Sequence, residues 1–573
     1  MNLFNYYLLE IIKKVLNSPD FKKINKKSLS NVIVESPPEK YNFDLSTNIA
    51  LILSKIIKTN PRDIAVKIKL ILINKINDFA EIEIAGPGFL NIRLSKTAWI
   101  KNINISLKEK KNFGANKNKK KYNIEFVSAN PTGPLHVGHC RGAVFGDVIS
   151  NLLTFNGNNV TKEFYVNDYG NQIDIFSESV FYRLREIKFD ENFPLNKNLY
   201  PGSYILDIAK KILNKNPKLD LSNFKKIQNK LGKISINYSM ELIKNDLKLL
   251  GIKHDKFFFE SKIVRDNLIK KVLNKLKKDK LVVEGFLKPP KSEEKVDWKK
   301  TKKLIFKSTL FNDDTDRSLQ KDDGSWTYFA NDLAYHSNKI SRKYDFLINI
   351  LGADHIGYTK RIVAAVKAIS KNKTQLICKV CQLVKLFKKG QPFKMSKRQG
   401  DFISVSDLLT EVNKDSIRFM MLNRGNDMEI DFDFEKVLEK NKDNQVFYVQ
   451  YCYARINSLF RNLNLDPEKE IKIDKNDFEP NTFEYKLLRK IIEWPKVINI
   501  SSNRLEPHRI TFYLYDLATI FHSYWSEGNK SDNYKFISNN KMNNILSFKI
   551  FQLISIVLQN AMRILGVSLP KKM

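Results

Sequence analysis

A chain of 573 residues exceeds what one hydrophobic core usually holds, so several domains are expected, and 42% hydrophobic content lets each of them fold. Its 98 Lys and Arg against 62 Asp and Glu leave +36, which favours a polyanionic partner, although lysine rises together with Asn and Ile at ordinary surface positions, as compositional drift also produces. Only four cysteines, Cys140, Cys378, Cys381 and Cys452, exclude a disulfide framework and suit a reducing compartment.

The first ten residues contain no arginine and include Glu10, which argues against a transit peptide and makes cytoplasm the expected location. Residues 1 to 110 combine helical patterns with short strands, notably Glu81–Ala85 and Phe89–Arg93 around the turn Gly86-Pro87-Gly88, and read as an α+β domain. Lys111 to Lys121, dense in Lys and Asn, reads as a solvated linker. From Tyr122 to Ser128 the chain alternates and is rich in strand formers. Asn130-Pro-Thr-Gly-Pro134 is turn chemistry, and Gly142 to Leu153 repeats apolar residues at helical spacing. His136 and His139 therefore sit where a buried strand turns into a helix. At that edge of an open α/β sheet, helix-terminal N–H groups and the helix dipole favour phosphate. Gly138 lets a ligand approach the backbone there.

An insertion is expected from about 171 to 312, with a polar loop at Lys288–Glu294. Thr327 to Ile340 is helical in pattern and puts Tyr328 and Asp332, four apart, on one face. The apolar strand Phe346–Leu351 leads to Gly352-Ala-Asp-His355, again at a ligand-binding edge. Cys378 and Cys381 have half the spacing of a zinc knuckle, but no second pair completes it. They read as small apolar residues in or beside a strand, and no metal ligand is assigned. An apolar run to Phe387 and a Gly390-Gln-Pro392 turn put Lys394-Met395-Ser396-Lys397-Arg398 on an exposed loop. After Asp431 the pattern is helical. Ile545 to Val567 is interrupted by Lys549, Gln552, Gln559, Asn560 and Arg563, so an amphipathic bundle helix is expected there and no membrane span.

The two motifs around His136 and Lys397, in this order and across an insertion, resemble the HIGH and KMSK signatures of class I aminoacyl-tRNA synthetases. Ala129–Gly142, Tyr200-Pro-Gly202, Asp323–Ala330, Gly352–His355, Phe447–Tyr451 and Leu505–Arg509 resemble the arginyl-tRNA synthetases of bacteria in particular. The resemblance implies an α/β, Rossmann-type doubly wound catalytic domain over 122–430 with its insertion. It also implies an N-terminal α+β domain over 1–110 that contacts the outer corner of tRNA, and a C-terminal all-α helical bundle over 431–573 that reads the anticodon. The implied reaction is ATP-dependent activation of L-arginine to arginyl-adenylate, followed by transfer to the 3′-terminal ribose of tRNA(Arg) with release of AMP and pyrophosphate. Mg²⁺ is expected with ATP, and a monomer is expected.

By the same resemblance His136, His139, Lys394, Lys397 and Arg398 stabilise the reacting phosphates. Pro131, Thr132, Gly133, Gly138, Met395 and Ser396 complete the nucleotide contacts. Glu125, Ser128, Asn130, Tyr328, Asp332 and His355 meet the arginine, with Asp332 facing the guanidinium. Glu125 could instead pair with a nearby base, and His336 is as compatible with core packing as with contact. Many members of the family lack the second lysine of KMSK and carry one before HIGH. Here Thr132–Leu135 holds none, so the load falls on Lys397. Tyr453 and Ile356 stand where the family usually has histidine. Two other readings stay open: a nucleotidylyltransferase acting on a small metabolite, and a catalytically silent tRNA-binding relative.

Overall fold

The computed structural model describes residues 2–38, 40–194, 198–287, 301–393, 403–469 and 471–573. The chain divides into two compact units, one made of residues 1–116 together with 439–573 and the other of 117–438.

In the first unit, the strands Phe79–Ala85 and Phe89–Leu94 pair antiparallel across a turn whose Gly86 and Gly88 have φ of 52° and 138°, values that glycine adopts without a Cβ penalty. Leu45–Thr47 and Val34–Glu35 extend this to a four-stranded sheet. The helix Pro61–Lys75 begins with proline at its first turn, capped by Asn60, whose side chain accepts from the Arg62 N–H. The C-terminal part is built from the helices Gln445–Asn462, Thr482–Arg504, His508–Lys530 and Ile545–Leu565, with one short hairpin, Ile537–Ser538 with Lys541–Met542. Ile545–Leu565 is the bundle's core helix, and 83% of its most apolar stretch is buried in protein. Its polar interruptions are satisfied internally: Gln552 donates to the carbonyls of Pro467 and Lys469.

The expected linker begins as structure rather than as a solvated segment. Phe113 is buried, its carbonyl accepts from Trp494 Nε1 at 2.9 Å, and Asn560 Nδ2 donates to the Lys110 carbonyl at 3.0 Å. A single aromatic residue inside a Lys/Asn run supplied the anchor.

The second unit is organised by a five-stranded parallel sheet in the order Gln375–Cys381, Phe346–Gly352, Lys121–Glu125, Asn159–Val166, Lys256–Phe259. Strand order reverses between Lys121–Glu125 and Phe346–Gly352, which opens a crevice at their carboxyl ends. The strand Lys256–Phe259 comes from within the expected insertion, so that region contributes to the main sheet as well as to the helices Asn171–Phe189, Ser203–Lys215 and Phe224–Leu249 packed together. Near the end of the unit, Ile430–Asp433 pairs parallel with Val384–Lys388, which carries sheet structure past Asp431.

Candidate active site

The strand Lys121–Glu125 stops at Glu125, three residues short of the expected Ser128, because Val127 and Ser128 adopt φ of 70° and 42°. A β-branched residue in the left-handed region is strained, and such strain gathers at functional sites. The kink is fastened by the Ser128 hydroxyl, which donates to Glu125 Oε1 at 3.2 Å and accepts the Tyr165 N–H at 3.1 Å. Asn130 is exposed and donates to Gln172 Oε1 at 2.8 Å. Pro131 is buried, and the Thr132 carbonyl accepts from the Tyr204 hydroxyl at 3.0 Å. A Cβ on Gly133 would lie 2.9 Å from that tyrosine ring.

His136 is the N-cap of the helix Val137–Phe155, and His139 lies in its first turn. The Gly138 N–H donates to His136 Nδ1 at 3.1 Å, and the His136 N–H donates to His139 Nδ1 at 3.3 Å. A neutral ring that accepts at Nδ1 carries its proton on Nε2, so both imidazoles are set as Nε2 donors. Burial lowers the pKa of His136, and burial together with the neighbouring His136 lowers His139 to about 4. Both rings are therefore neutral near pH 7. Gly138 matters for a reason besides ligand approach: a Cβ there would meet His136 Cε1 at 2.9 Å. Cys140, next along, is fully buried and its thiol is pushed up to about 12 by burial.

The motif helix is held along its length. Val137 N–H donates to the Ile403 carbonyl and Val405 N–H to the Leu135 carbonyl, both at 2.9 Å. Arg141 donates to the carbonyls of Gln382 and Gly425 at 2.8 and 2.7 Å. Asp147 accepts from Lys162 at 2.6 Å and from the fully buried Arg418 at 2.5 Å. Lys394, Met395, Ser396, Lys397 and Arg398 lie outside the described residues, as does Lys288–Glu294.

A second cluster forms along the helix Tyr328–Ser341, whose Asn331 and Lys339 donate to Glu260 and Glu125 beside the central strands. The Thr327 side chain caps the helix by accepting from the Ala330 N–H. Tyr328 is 78% exposed, whereas Asp332 is half-buried and its carboxyl accepts from the Tyr358 hydroxyl. Desolvation raises Asp332 to about 7, the Tyr358 bond opposes that, and the charges of Glu125 and Glu260 add to it. Glu260, buried at the start of a helix that follows the strand Lys256–Phe259, accepts from Asn331 at 2.7 Å and is likewise raised by desolvation.

Glu125 differs from these two, because it accepts from the fully buried Lys339, so the base-pairing alternative has a partner in the structure. His355 is exposed and lies 3.3 Å from Asp354. His336 is a packed histidine, its Nδ1 2.9 Å from the Asp332 carbonyl and its Nε2 3.1 Å from Asn349 Nδ2. Glu260, Tyr358 and Lys339 were not singled out from the sequence. Glu260 ends an aromatic strand inside the supposed insertion, and recognising Phe257-Phe258-Phe259 as a strand of the main sheet was the signal that could have found it.

Comparison with known proteins matches three family models end to end along the chain: the arginyl tRNA synthetase N terminal domain over residues 7–94, the tRNA synthetases class I (R) catalytic domain over 102–459, and the DALR anticodon binding domain over 449–573. The arginine–tRNA ligase of Pelagibacter ubique (strain HTCC1062) is 51% identical over the full length of both chains, and that of Ehrlichia ruminantium (strain Welgevonden) is 46% identical over 93% of each. The chain belongs to the arginyl-tRNA synthetases. Among solved structures, a putative arginyl-tRNA synthetase from Campylobacter jejuni superposes with a TM-score of 0.73 at 30% identity, covering 84% of this chain and all of that one. The Thermus thermophilus arginyl-tRNA synthetase, at 18% identity with full coverage and a TM-score of 0.72, supports the fold. Family membership makes this a class I aminoacyl-tRNA synthetase with ATP as a substrate, built from a mixed α/β catalytic domain, an N-terminal domain and a helical DALR domain.

Proposed function

We propose that this arginyl-tRNA synthetase charges tRNA(Arg) in two steps, with His136 and His139 acting on ATP and Asp332 with Glu260 selecting L-arginine. The observation that carries the arginine site is the pair of desolvated carboxyls, the half-buried Asp332 and the buried Glu260, both raised by desolvation and bonded to neutral donors, Tyr358 and Asn331. Buried carboxylates without a cation are costly, and a planar guanidinium compensates them with parallel N–H bonds that lysine's ammonium does not reproduce. Tyr328, Ser128, Asn130 and His355 are assigned as further substrate contacts, and Glu125 acts with Lys339.

In the first step the arginine carboxylate attacks the α-phosphorus and pyrophosphate leaves. Negative charge spreads over the phosphate oxygens, and preorganised donors lower the barrier without a covalent enzyme intermediate. The Nε2 protons of His136 and His139 serve as such donors, at the positive end of the dipole of the helix Val137–Phe155. Lys397, with Lys394, Met395, Ser396 and Arg398, is assigned to the departing pyrophosphate. No group of three His, Cys, Asp or Glu side chains gathers to hold a cation among the described residues, so Mg²⁺ would arrive coordinated by ATP phosphates and water. In the second step a ribose hydroxyl of the tRNA terminus attacks the activated carbonyl. A monomeric, cytoplasmic enzyme is the state we assign.

The deciding assay combines purified protein, ATP, labelled arginine and total tRNA, and reads acid-stable charged tRNA. Charging with arginine and with no other amino acid supports the proposal. Adenylylation without tRNA charging would favour a nucleotidylyltransferase.

A further inference from the structure

We propose that Asp246, on the insertion helix Phe224–Leu249, is a positioning residue for arginine activation that locks the histidine motif to the segment beginning at Ile403. Asp246 is 4% exposed. Its Oδ2 accepts the Leu135 N–H at 2.8 Å, and its Oδ1 accepts the Ser406 hydroxyl at 3.2 Å. Leu135 is the residue directly before His136. Ser406 lies in the first turn of the helix Val405–Glu411, whose cap Ser404 is bridged to His136. One carboxylate thus spans the two chain segments that the Val137–Ile403 and Val405–Leu135 bonds hold side by side.

This is an expensive way to build a core. The group is desolvated, its bonds come from neutral donors, and the charge of Asp407 repels it. An apolar residue of similar size would serve packing alone at lower cost. What an apolar residue lacks is direction, since a carboxylate that accepts from an N–H on one segment and an O–H on the other fixes their relative register.

The helix that carries Asp246 also packs against Asn171–Phe189 through the cluster containing Phe176, Leu231 and Tyr238. A second side chain of the same region, Tyr204, grips the Thr132 carbonyl. The loop from Thr132 to Leu135 is therefore held at both ends by insertion residues. Because His136 donates its N–H to His139, a shift at Leu135 passes to both imidazoles. The insertion thereby sets the placement of the proposed phosphate donors.

The inference rests on the assignment of His136 and His139 to ATP, so its test separates the two. Asp246→Ala, Asp246→Asn and His139→Ala are compared with wild type in arginine-dependent ATP–pyrophosphate exchange with tRNA present, in thermal melting, and in hydrogen exchange of the peptide containing Leu135 and Val137. A displacement near 1 Å costs on the order of a hundredfold, so Asp246→Ala should lower kcat by about 30- to 100-fold while the arginine KM stays within about twofold. Asp246→Asn keeps an acceptor oxygen for Leu135 and should recover most of kcat. Faster exchange of the Leu135 amide is expected in Asp246→Ala and not in His139→Ala. Unchanged protection in Asp246→Ala, or an asparagine variant as impaired as the alanine one, overturns the proposal; so does a kcat loss that merely tracks loss of folded protein. Wild-type exchange by His139→Ala instead removes the assignment on which the proposal rests, while the amide protection still reports on the clamp.

Discussion

The Tyr358 hydroxyl donates to Asp332 Oδ2, tying the turn after the strand Phe346–Gly352 to the helix Tyr328–Ser341. That bond fixes the plane of the carboxylate and opposes its desolvation. A hydrogen bond to a charged group contributes about 1.5–3 kcal/mol, so Tyr358→Phe should raise the arginine KM by about tenfold or more, with kcat at saturating arginine within about threefold. Steady-state exchange across an arginine series checks this, and an unchanged KM would remove Tyr358 from arginine selection.

Arginine affinity should depend on pH through Asp332. Its folded-state pKa of about 7 lies above the ordinary 3.8, so the empty protein binds a proton that the unfolded chain has lost. The stability it contributes is complete below about pH 4 and is lost as pH rises through about 7. L-arginine pairs with the ionised form, so its Kd should fall about tenfold from pH 6 to pH 8 and then level off. The thermal shift produced by a fixed arginine concentration should accordingly be larger at pH 8 than at pH 6. Titration calorimetry across that range is the measurement; a flat Kd would mean that Asp332 does not titrate against the ligand.

His139→Ala should lower ATP–pyrophosphate exchange by about 10²–10³-fold, the usual cost of removing one preorganised donor, and leave the arginine KM nearly unchanged. Because the pKa of His139 is lowered to about 4, this imidazole should not appear as a titrating group in the exchange rate between pH 6 and 8. A rate that climbs on acidification through pH 6.5 would show that the protonated ring is the active form.

Much of this site was legible because its parts are local. A strand, a turn and a helix in succession place His136 and His139 whatever the tertiary details, and a spacing of four carries Tyr328 and Asp332 together on any helix. The parts that stayed hidden depend on distant pairings. Lys339 reaches Glu125 across 214 residues, and Glu260 joins Asp332 only because Lys256–Phe259 adds to the central sheet. The strand's early end at Glu125 was also invisible, since alternation continues through Val127 while the backbone has already turned left-handed. Phe113 escaped attention because a single buried ring does not alter the composition of a lysine-rich segment.

The pair Asp147 and Arg418 predicts a stability phenotype away from the chemistry. Arg418→Met strips the buried Asp147 of one of its two cations, and breaking a buried pair in this way costs about 3–5 kcal/mol. Asp147 is held below its ordinary pKa by Arg418 and Lys162 against desolvation, so the stabilisation is present above the usual carboxylate range and is lost as pH falls through the lowered value. Thermal melting should drop by several degrees in Arg418→Met. The double variant Asp147→Leu with Arg418→Met should recover much of it, because it leaves no buried carboxylate short of a cation and Lys162 keeps its bond to Asn151. A double variant no better than the single would show that the cost is one of packing.

The burial of Phe113 against Trp494, and of the Lys110 carbonyl against Asn560, bears on how the chain is made. Residues 117–438 are contiguous and are complete once their own last residue leaves the ribosome, but residues 1–116 find their partners only once residues 439–573 are made. At the usual pace of translation the Phe113 carbonyl waits roughly 20 to 75 s for Trp494 to be made. During that interval the Phe113 carbonyl lacks its tryptophan donor, so residues 1–116 are finished after the unit 117–438 that follows them.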